Sequence, residues 1–210
     1  MEIRKLGHAC LLVEDADARI LIDPGTYAAG WEELRGLTAV LITHQHADHL
    51  DPDRIDGLLS ANPSAAVYAD RASTELLTDR GHRVTAVAAG ERHQLGGVVA
   101  EVVGAEHAII HPDIPVIPNT GYLLGERLFH PGDALTVPDR PVEILAIPIA
   151  APWLKAAEAI DYLRAVAPRV AIPIHDAVWA KPQMLHSLLE RLGPPETTFT
   201  VLDDGTPRQF

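Results

Sequence analysis

With 210 residues, 47% of them hydrophobic, the chain can form one compact domain with a sizeable core. A formal net charge of −12 and the lack of any Lys/Arg cluster disfavour a nucleic-acid binder, which needs cationic patches against phosphates. No apolar run approaches the roughly 18 residues of a membrane helix, no signal peptide is apparent, and the single cysteine, Cys10, excludes an intrachain disulfide, so the expectation is a cytoplasmic protein without a membrane partner.

Residues 2–23 alternate strand-like runs with turns and predict a β-meander over 3–6, 9–13 and 19–23, closed by an Asp-Pro-Gly turn. Residues 31–35 suit a short helical turn, and a buried strand follows at 38–43. Helical spacing over 52–61 and 71–80 flanks a strand at 65–69, an alternation that favours an α/β arrangement. The second half opens with a strand at 98–103 and a proline-rich loop at 111–118. A hairpin at 121–124 and 127–129 turns on Gly125-Glu126. Then come a strand at 143–147, a helix at 152–167, a strand at 170–174, a helix at 181–192 and a last strand at 199–202. Strands followed by helices occur twice, as in a single domain built from two similar halves.

The chemistry gathers at residues 43–51, T-H-Q-H-A-D-H-L-D, where His44, His46, Asp48 and His49 fall within six residues between a strand end and a helix start. Pro52 suits the first turn of that helix, with Asp51 as its N-cap. Spacing at i and i+2 points His44 and His46 the same way, and the turn swings Asp48 and His49 to a neighbouring position. That is a plan for two adjacent metal ions. A His-rich polar loop can be merely solvated, but four ligand types behind a buried strand are hard to obtain by accident. Imidazole and carboxylate suit zinc, iron or manganese. Four ligands cannot complete two sites, so further His and Asp residues should stand at strand ends, and His107, Asp133 and His175 each follow a predicted strand.

These residues resemble the H-x-H-x-D-H signature of the metallo-β-lactamase superfamily, and the likeness spans essentially the whole chain. It implies an α/β (α+β) fold of four layers, an αββα sandwich of two β-sheets covered by helices. It also implies His44, His46 and His107 on one metal and Asp48, His49 and His175 on the other, with Asp133 bridging them. Asp23 would accept a hydrogen bond that orients a ligand histidine. L-G-H-A-C-L-L-V-E, containing Gly7-His8, resembles the ascorbate-phosphate lactonase-like branch and related bacterial metal-dependent hydrolases. The superfamily's H-x-P-G-H-T around the third histidine is replaced here by residues 106–112, E-H-A-I-I-H-P. The third ligand is therefore His107 or His111, and His107 is favoured because it directly follows the strand.

Two divalent ions, zinc before manganese or iron, would lower the pKa of a bridging water and supply hydroxide to a lactone, ester or phosphodiester of a small molecule. Asp48 can orient that water as well as bind metal. His8 and His111 enter beside it as catalytic candidates, each weighed between a hydrogen-bonded turn residue and a rim residue that binds substrate or protonates a leaving group. No G-x-S-x-G elbow or G-x-x-x-x-G-K-[ST] loop offers another route. The alternatives are a metal-dependent nuclease, disfavoured by charge, and a non-hydrolytic redox or ligand-binding protein on the same fold. Substrate choice would lie in loops 26–31, 108–119 and 149–153, where Trp31, Ile114, Ile117 and Trp153 suggest an apolar mouth.

Overall fold

The computed structural model describes residues 1–202 and 205–210. The chain opens with β1 (Glu2–Gly7), β2 (Cys10–Asp15), β3 (Ala18–Ile22) and β4 (Ala39–Ile42), continues through α1 (Ile55–Ala61), β5 (Ala66–Ala69) and α2 (Arg71–Asp79), and ends this half at β6 (Thr85–Ala86). The second half comprises β7 (Arg92–Leu95), β8 (Val98–Val103), β9 (Gly121–Leu124), β10 (Leu128–His130), β11 (Ile144–Pro148), α3 (Ala156–Val166), β12 (Val170–Ile174), α4 (Gln183–Leu192), β13 (Thr198–Phe199) and β14 (Arg208–Gln209).

Two seven-stranded sheets result, in the orders β14-β1-β2-β3-β4-β5-β6 and β13-β12-β11-β10-β9-β8-β7. The first pairs antiparallel from β14 to β3 and parallel from β3 to β6. The second repeats the scheme, antiparallel from β7 to β10 and parallel from β10 to β13. The two sheets are therefore built on one plan.

Period-2 alternation decides which side chains go where. In β4, Ala39 and Leu41 join a core shared with Ala146, Ile172 and Ile174 of the other sheet, while Val40 and Ile42 face a second core with Leu58 and Leu77 of α1 and α2. On the far side, Leu145, Ile147 and Ala171 pack against Leu163 of α3 and Leu189 of α4. Three apolar cores thus separate four layers, α, β, β and α. Local chemistry sets the boundaries. The Asp70 carboxylate caps α2 by accepting from the backbone N–H of Ala72 at 2.8 Å and Ser73 at 3.3 Å. The β9–β10 hairpin turns on Gly125 and Glu126, both left-handed at φ 57° and 58°, as a two-residue type I′ turn requires.

Several predicted boundaries move. Residues 31–35 form a turn rather than a helix, and Trp31 is fully buried beneath the Arg54 guanidinium, 4.8 Å from its ring, so it belongs to the outer core and not to a mouth. Asp51 caps the turn over residues 52–54, accepting from the backbone N–H of Asp53 and Arg54, and α1 proper starts at Ile55. The last predicted strand shortens to β13. The edge strands β7 (RHQL) and β14 (RQ) carry no apolar alternation, which is why composition gave no sign of them. Among the described residues no helix is long and apolar enough to cross a membrane.

Candidate metal centre

The residues at the C-terminal ends of the parallel strands and the turns beside them converge on one point between the sheets. His44, His46, Asp48 and His49 lie beyond β4, Asp133 beyond β10, His175 beyond β12, and His107 four residues beyond β8. The turn at residues 24–26 is zipped to the loop that carries His44 to His49: Thr26 N–H donates to the Ala47 carbonyl at 2.9 Å and Asp51 N–H to that of Pro24 at 3.0 Å. A Cβ on Gly25 would fall 1.7 Å from the Asp48 carbonyl oxygen, so only glycine allows this approach. From the opposite sheet, Thr120 N–H donates to Thr43 O at 2.8 Å and the Tyr122 hydroxyl to Ile42 O at 3.0 Å. Tyr122 is therefore a core residue that pins the two sheets together where the loop begins.

The side chains form two groups. In one, ligand-type atoms of His44, His46, His107 and Asp133 lie within 4.8 Å of one another; in the other, so do those of His8, Asp48, His49 and His175. Asp133 stands between them. Its Oδ1 is 3.1 Å from His49 Nε2, and its Oδ2 is 3.0 Å from His175 Nε2 and 3.3 Å from His107 Nε2. Asp48 Oδ2 lies 3.4 Å from His175 Nε2 and 3.1 Å from His8 Nε2, and His44 Nε2 lies 3.0 Å from His46 Nδ1.

Surrounding groups fix which ring nitrogen faces the centre. Asp23 Oδ2 accepts from the Thr43 hydroxyl and from His49 Nδ1, each at 2.7 Å, and its Oδ1 accepts from Thr43 N–H at 2.8 Å. With its proton committed to Asp23, the Thr43 oxygen accepts from His44 Nδ1 at 3.0 Å. His107 Nδ1 donates to the Ala108 carbonyl at 2.6 Å, and His175 Nδ1 to that of Ala150 at 2.5 Å. Each of these rings thus turns Nε2 inward. His49 Nε2, His107 Nε2, His175 Nε2 and Asp133 Oδ1 are buried without a hydrogen-bond partner. Buried polar atoms left unpaired are costly. Inward-facing imidazole nitrogens around two carboxylates form a donor set that fits divalent transition-metal ions.

Electrostatics carry the same signature. Burial would raise the Asp133 carboxyl, but the His49 charge and the contacts with His107 and His175 outweigh it and hold it well below the carboxylate range. Asp48 is likewise held far down against burial, by His175 and His8. Burial would lower His49 and His175, yet Asp133 and Asp23 raise the first well above its ordinary value, and Asp133 and Asp48 push the second up to about 9. Burial and the His49 charge take His44 well down, and Asp133, whose Oδ2 lies 4.0 Å from its Nε2, offsets only part of that. Three site residues, His8, Asp23 and His175, hold left-handed backbone at φ 48°, 50° and 59°, a concentration of strain typical of functional sites.

Among the sequence candidates, the structure brings His8 to the cluster and leaves His111 outside. The His8 ring is buried, its centroid 4.1 Å from that of His175 and tilted 52° to it. His111 has a side chain 60% exposed on the proline-rich loop, 3.6 Å from Asp113. Of the alternatives for the third ligand, His107 is at the centre. His130 supports the Asp133 turn: its Nδ1 accepts from Gly132 N–H at 3.2 Å, and its Nε2 donates to Ala9 O at 2.9 Å. Asn119 Oδ1 accepts from Asp133 N–H at 2.9 Å. One contact escaped sequence reasoning: the Trp153 indole N–H donates to Asp133 Oδ2 at 3.1 Å. No motif links those residues; only the position of Trp153 in a loop after a strand neighbouring that of Asp133 gave a sign. Two cavities flank the centre. One of about 410 Å³ lies beside His8 and is lined by Arg4, Lys5 and Asp176; the other, of about 50 Å³, is lined by His46, His107 and apolar side chains of the proline-rich loop.

Known proteins share this arrangement of chain. Residues 2–175 match the Beta-lactamase superfamily domain. Protein Rv0786c of Mycobacterium tuberculosis is 50% identical over 185 residues, 86% of this chain and 86% of that protein. A UPF0173 metal-dependent hydrolase of Carboxydothermus hydrogenoformans is 29% identical over 197 residues, 85% of this chain and 86% of its own. In three dimensions the metallo-β-lactamase fold protein YhfI from Bacillus subtilis matches with a TM-score of 0.76 at 13% identity, over 99% of this chain and 98% of that one, a likeness of fold.

Proposed function

Because the chain belongs to the β-lactamase superfamily domain family and is a metal-dependent hydrolase of that superfamily, we propose that it holds two divalent metal ions and hydrolyses a lactone or other ester, or a phosphodiester, of a small-molecule substrate. His44, His46 and His107 would hold one ion, and Asp48, His49 and His175 the other, with Asp133 placed between the two sets. Zinc heads the candidates, and manganese and iron accept the same donors. The observation that carries this reading is Asp133: a nearly fully buried carboxylate that reaches histidines of both sets, His107 of the first at 3.3 Å and His49 and His175 of the second at 3.1 and 3.0 Å.

Bound there, the ions would supply a hydroxide at neutral pH and polarise the scissile carbonyl or phosphoryl oxygen. The protein's own groups do the rest. Asp23 and Thr43 fix the rings of His49 and His44, and the Trp153 indole N–H anchors one lobe of the bridging carboxylate. Asp48 stands at the open side, its side chain 22% exposed, where as a carboxylate it can accept a hydrogen bond that orients the attacking water. His8 donates towards Asp48 and keeps that carboxylate ionised and in place. No serine or cysteine nucleophile is needed.

The test is elemental analysis of the purified protein and of Asp133→Ala, with hydrolysis of model esters and phosphodiesters measured in parallel. About two transition-metal ions per chain, lost together with hydrolysis in the variant, is the expected result. Full activity in Asp133→Ala would sink the scheme.

A further inference from the structure

The two flanks of the centre differ in chemistry. On the His8 side the cavity walls carry Arg4, Lys5 and Asp176. On the His46 and His107 side they carry Ile110, Ile114, Val116 and Ile117, and no cation. The loop that builds this second wall exposes its apolar groups: Ile109 is 65% exposed, and Ile114 and Val116 are 47% exposed each. Apolar side chains standing together in water are costly and usually mark a binding surface. Backbone bonds hold the loop in place at both ends of the metal ligand. His107 N–H donates to Ile117 O at 3.0 Å, and Ala108 N–H to Asp133 O at 2.8 Å. The wall is therefore fixed relative to His107, and whatever lies against Ile114 also lies beside the ion that His46 and His107 would hold.

We infer that the cavity between His107 and the Ile110–Ile117 wall receives a short alkyl group attached directly to the scissile carbonyl, which makes the substrate an acyl ester or lactone with an apolar acyl portion and not a phosphodiester. The inference rests on the metal-dependent hydrolase proposed above. A phosphodiester places further charged oxygens around its reacting centre, and beyond the ion itself this wall offers them no cationic side chain; an alkyl chain loses nothing there and gains burial. At about 50 Å³ the enclosed part takes only a few carbons before the chain runs out along exposed Ile109 and Val116.

Acyl hydroxamates test this without a turnover assay, since the hydroxamate chelates metal and trails its alkyl chain from the carbonyl. Affinities of acetohydroxamate, butyrohydroxamate and hexanohydroxamate are measured by calorimetry on metal-loaded protein. Affinity should rise about threefold to fourfold per added methylene over the first few carbons, the increment for burying one CH₂, and then flatten. Ile114→Asp and Val116→Asp, both exposed positions that tolerate the change, should lose the gradient, while Val137→Asp, equally exposed beside a different cavity, should keep it. Equal affinity along the series would overturn the acyl-chain inference and leave the metal centre standing. Failure of every hydroxamate to bind, in protein that also retains no added metal, would instead overturn the metal centre and the inference with it.

Discussion

Asp23 carries three hydrogen bonds on two oxygens in a fully buried site, and through them it fixes two histidine rings, His49 directly and His44 by way of Thr43. Replacing it with asparagine keeps the shape but puts an N–H₂ where one of these protons now points. Outer hydrogen bonds of this kind are typically worth about 10- to 100-fold in metal affinity, so Asp23→Asn should weaken retention of metal by that factor. Competition with a chelator of known affinity measures it; an unchanged affinity would show that Asp23 serves folding alone. The residue scale was also where the sequence was most legible. Four candidate ligands fall within six residues, and three more follow predicted strands, so their residue types announced them. Trp153 was not legible as a partner of Asp133, because that contact depends on where the loop after β11 comes to rest. His111 stood open in the sequence between a turn residue and a rim residue, and its side chain lies exposed on the proline-rich loop beside Asp113.

Glu143, at the entry to β11, pairs with Arg127 from the β9–β10 turn and with Arg169 from the entry to β12, so one carboxylate ties the approaches to three neighbouring strands. The two guanidinium groups lower its pKa from 4.5 to about 2. A carboxyl depressed on folding contributes stability that is complete above its ordinary value and fades as pH falls through the folded one. Glu143→Gln should therefore lower the urea midpoint at pH 6, and its deficit relative to the wild type should shrink as pH drops from 4.5 towards 2. A deficit constant across that range would mean the carboxylate charge is not what matters. The pair is partly exposed, so the effect at pH 6 is small. Strands with strong apolar runs, β2, β4, β8 and β12, fell where their patterns place them. Helix starts moved because residues 52–54 and 152–155 form turns ahead of α1 and α3, and a single sequence gives turn and first helical turn much the same polar residues.

Over the whole molecule, the first half supplies His44, His46, Asp48 and His49 as one loop, and the second supplies His107, Asp133 and His175 from three separate strand ends. The doubled strand–helix order was visible in the sequence. That the halves stack with their parallel-strand ends at one place was not, since nothing local encodes how one sheet lies on another. The core between the sheets sets that alignment. Ile172→Ala in this core and Leu77→Ala in the outer core beneath α2 should each cost about 2 to 5 kcal/mol, measurable by urea unfolding. Only the first loosens one half against the other, and only the first should also shed metal, as read by the rate at which a chelator strips the protein. Equal stripping rates in both variants would dissociate packing from the site.

The carboxylate of Asp133 then acquires a second meaning. Since side chains from both halves close on the same pair of points, the ions proposed there would act as a clasp, and tightening the clasp and seating the sheets would become a single cooperative event. Cells short of the metal would hold a chain whose halves are free to part, with its inter-sheet surface within reach of proteases. Abundance of the protein, not just its catalytic rate, would then follow metal supply.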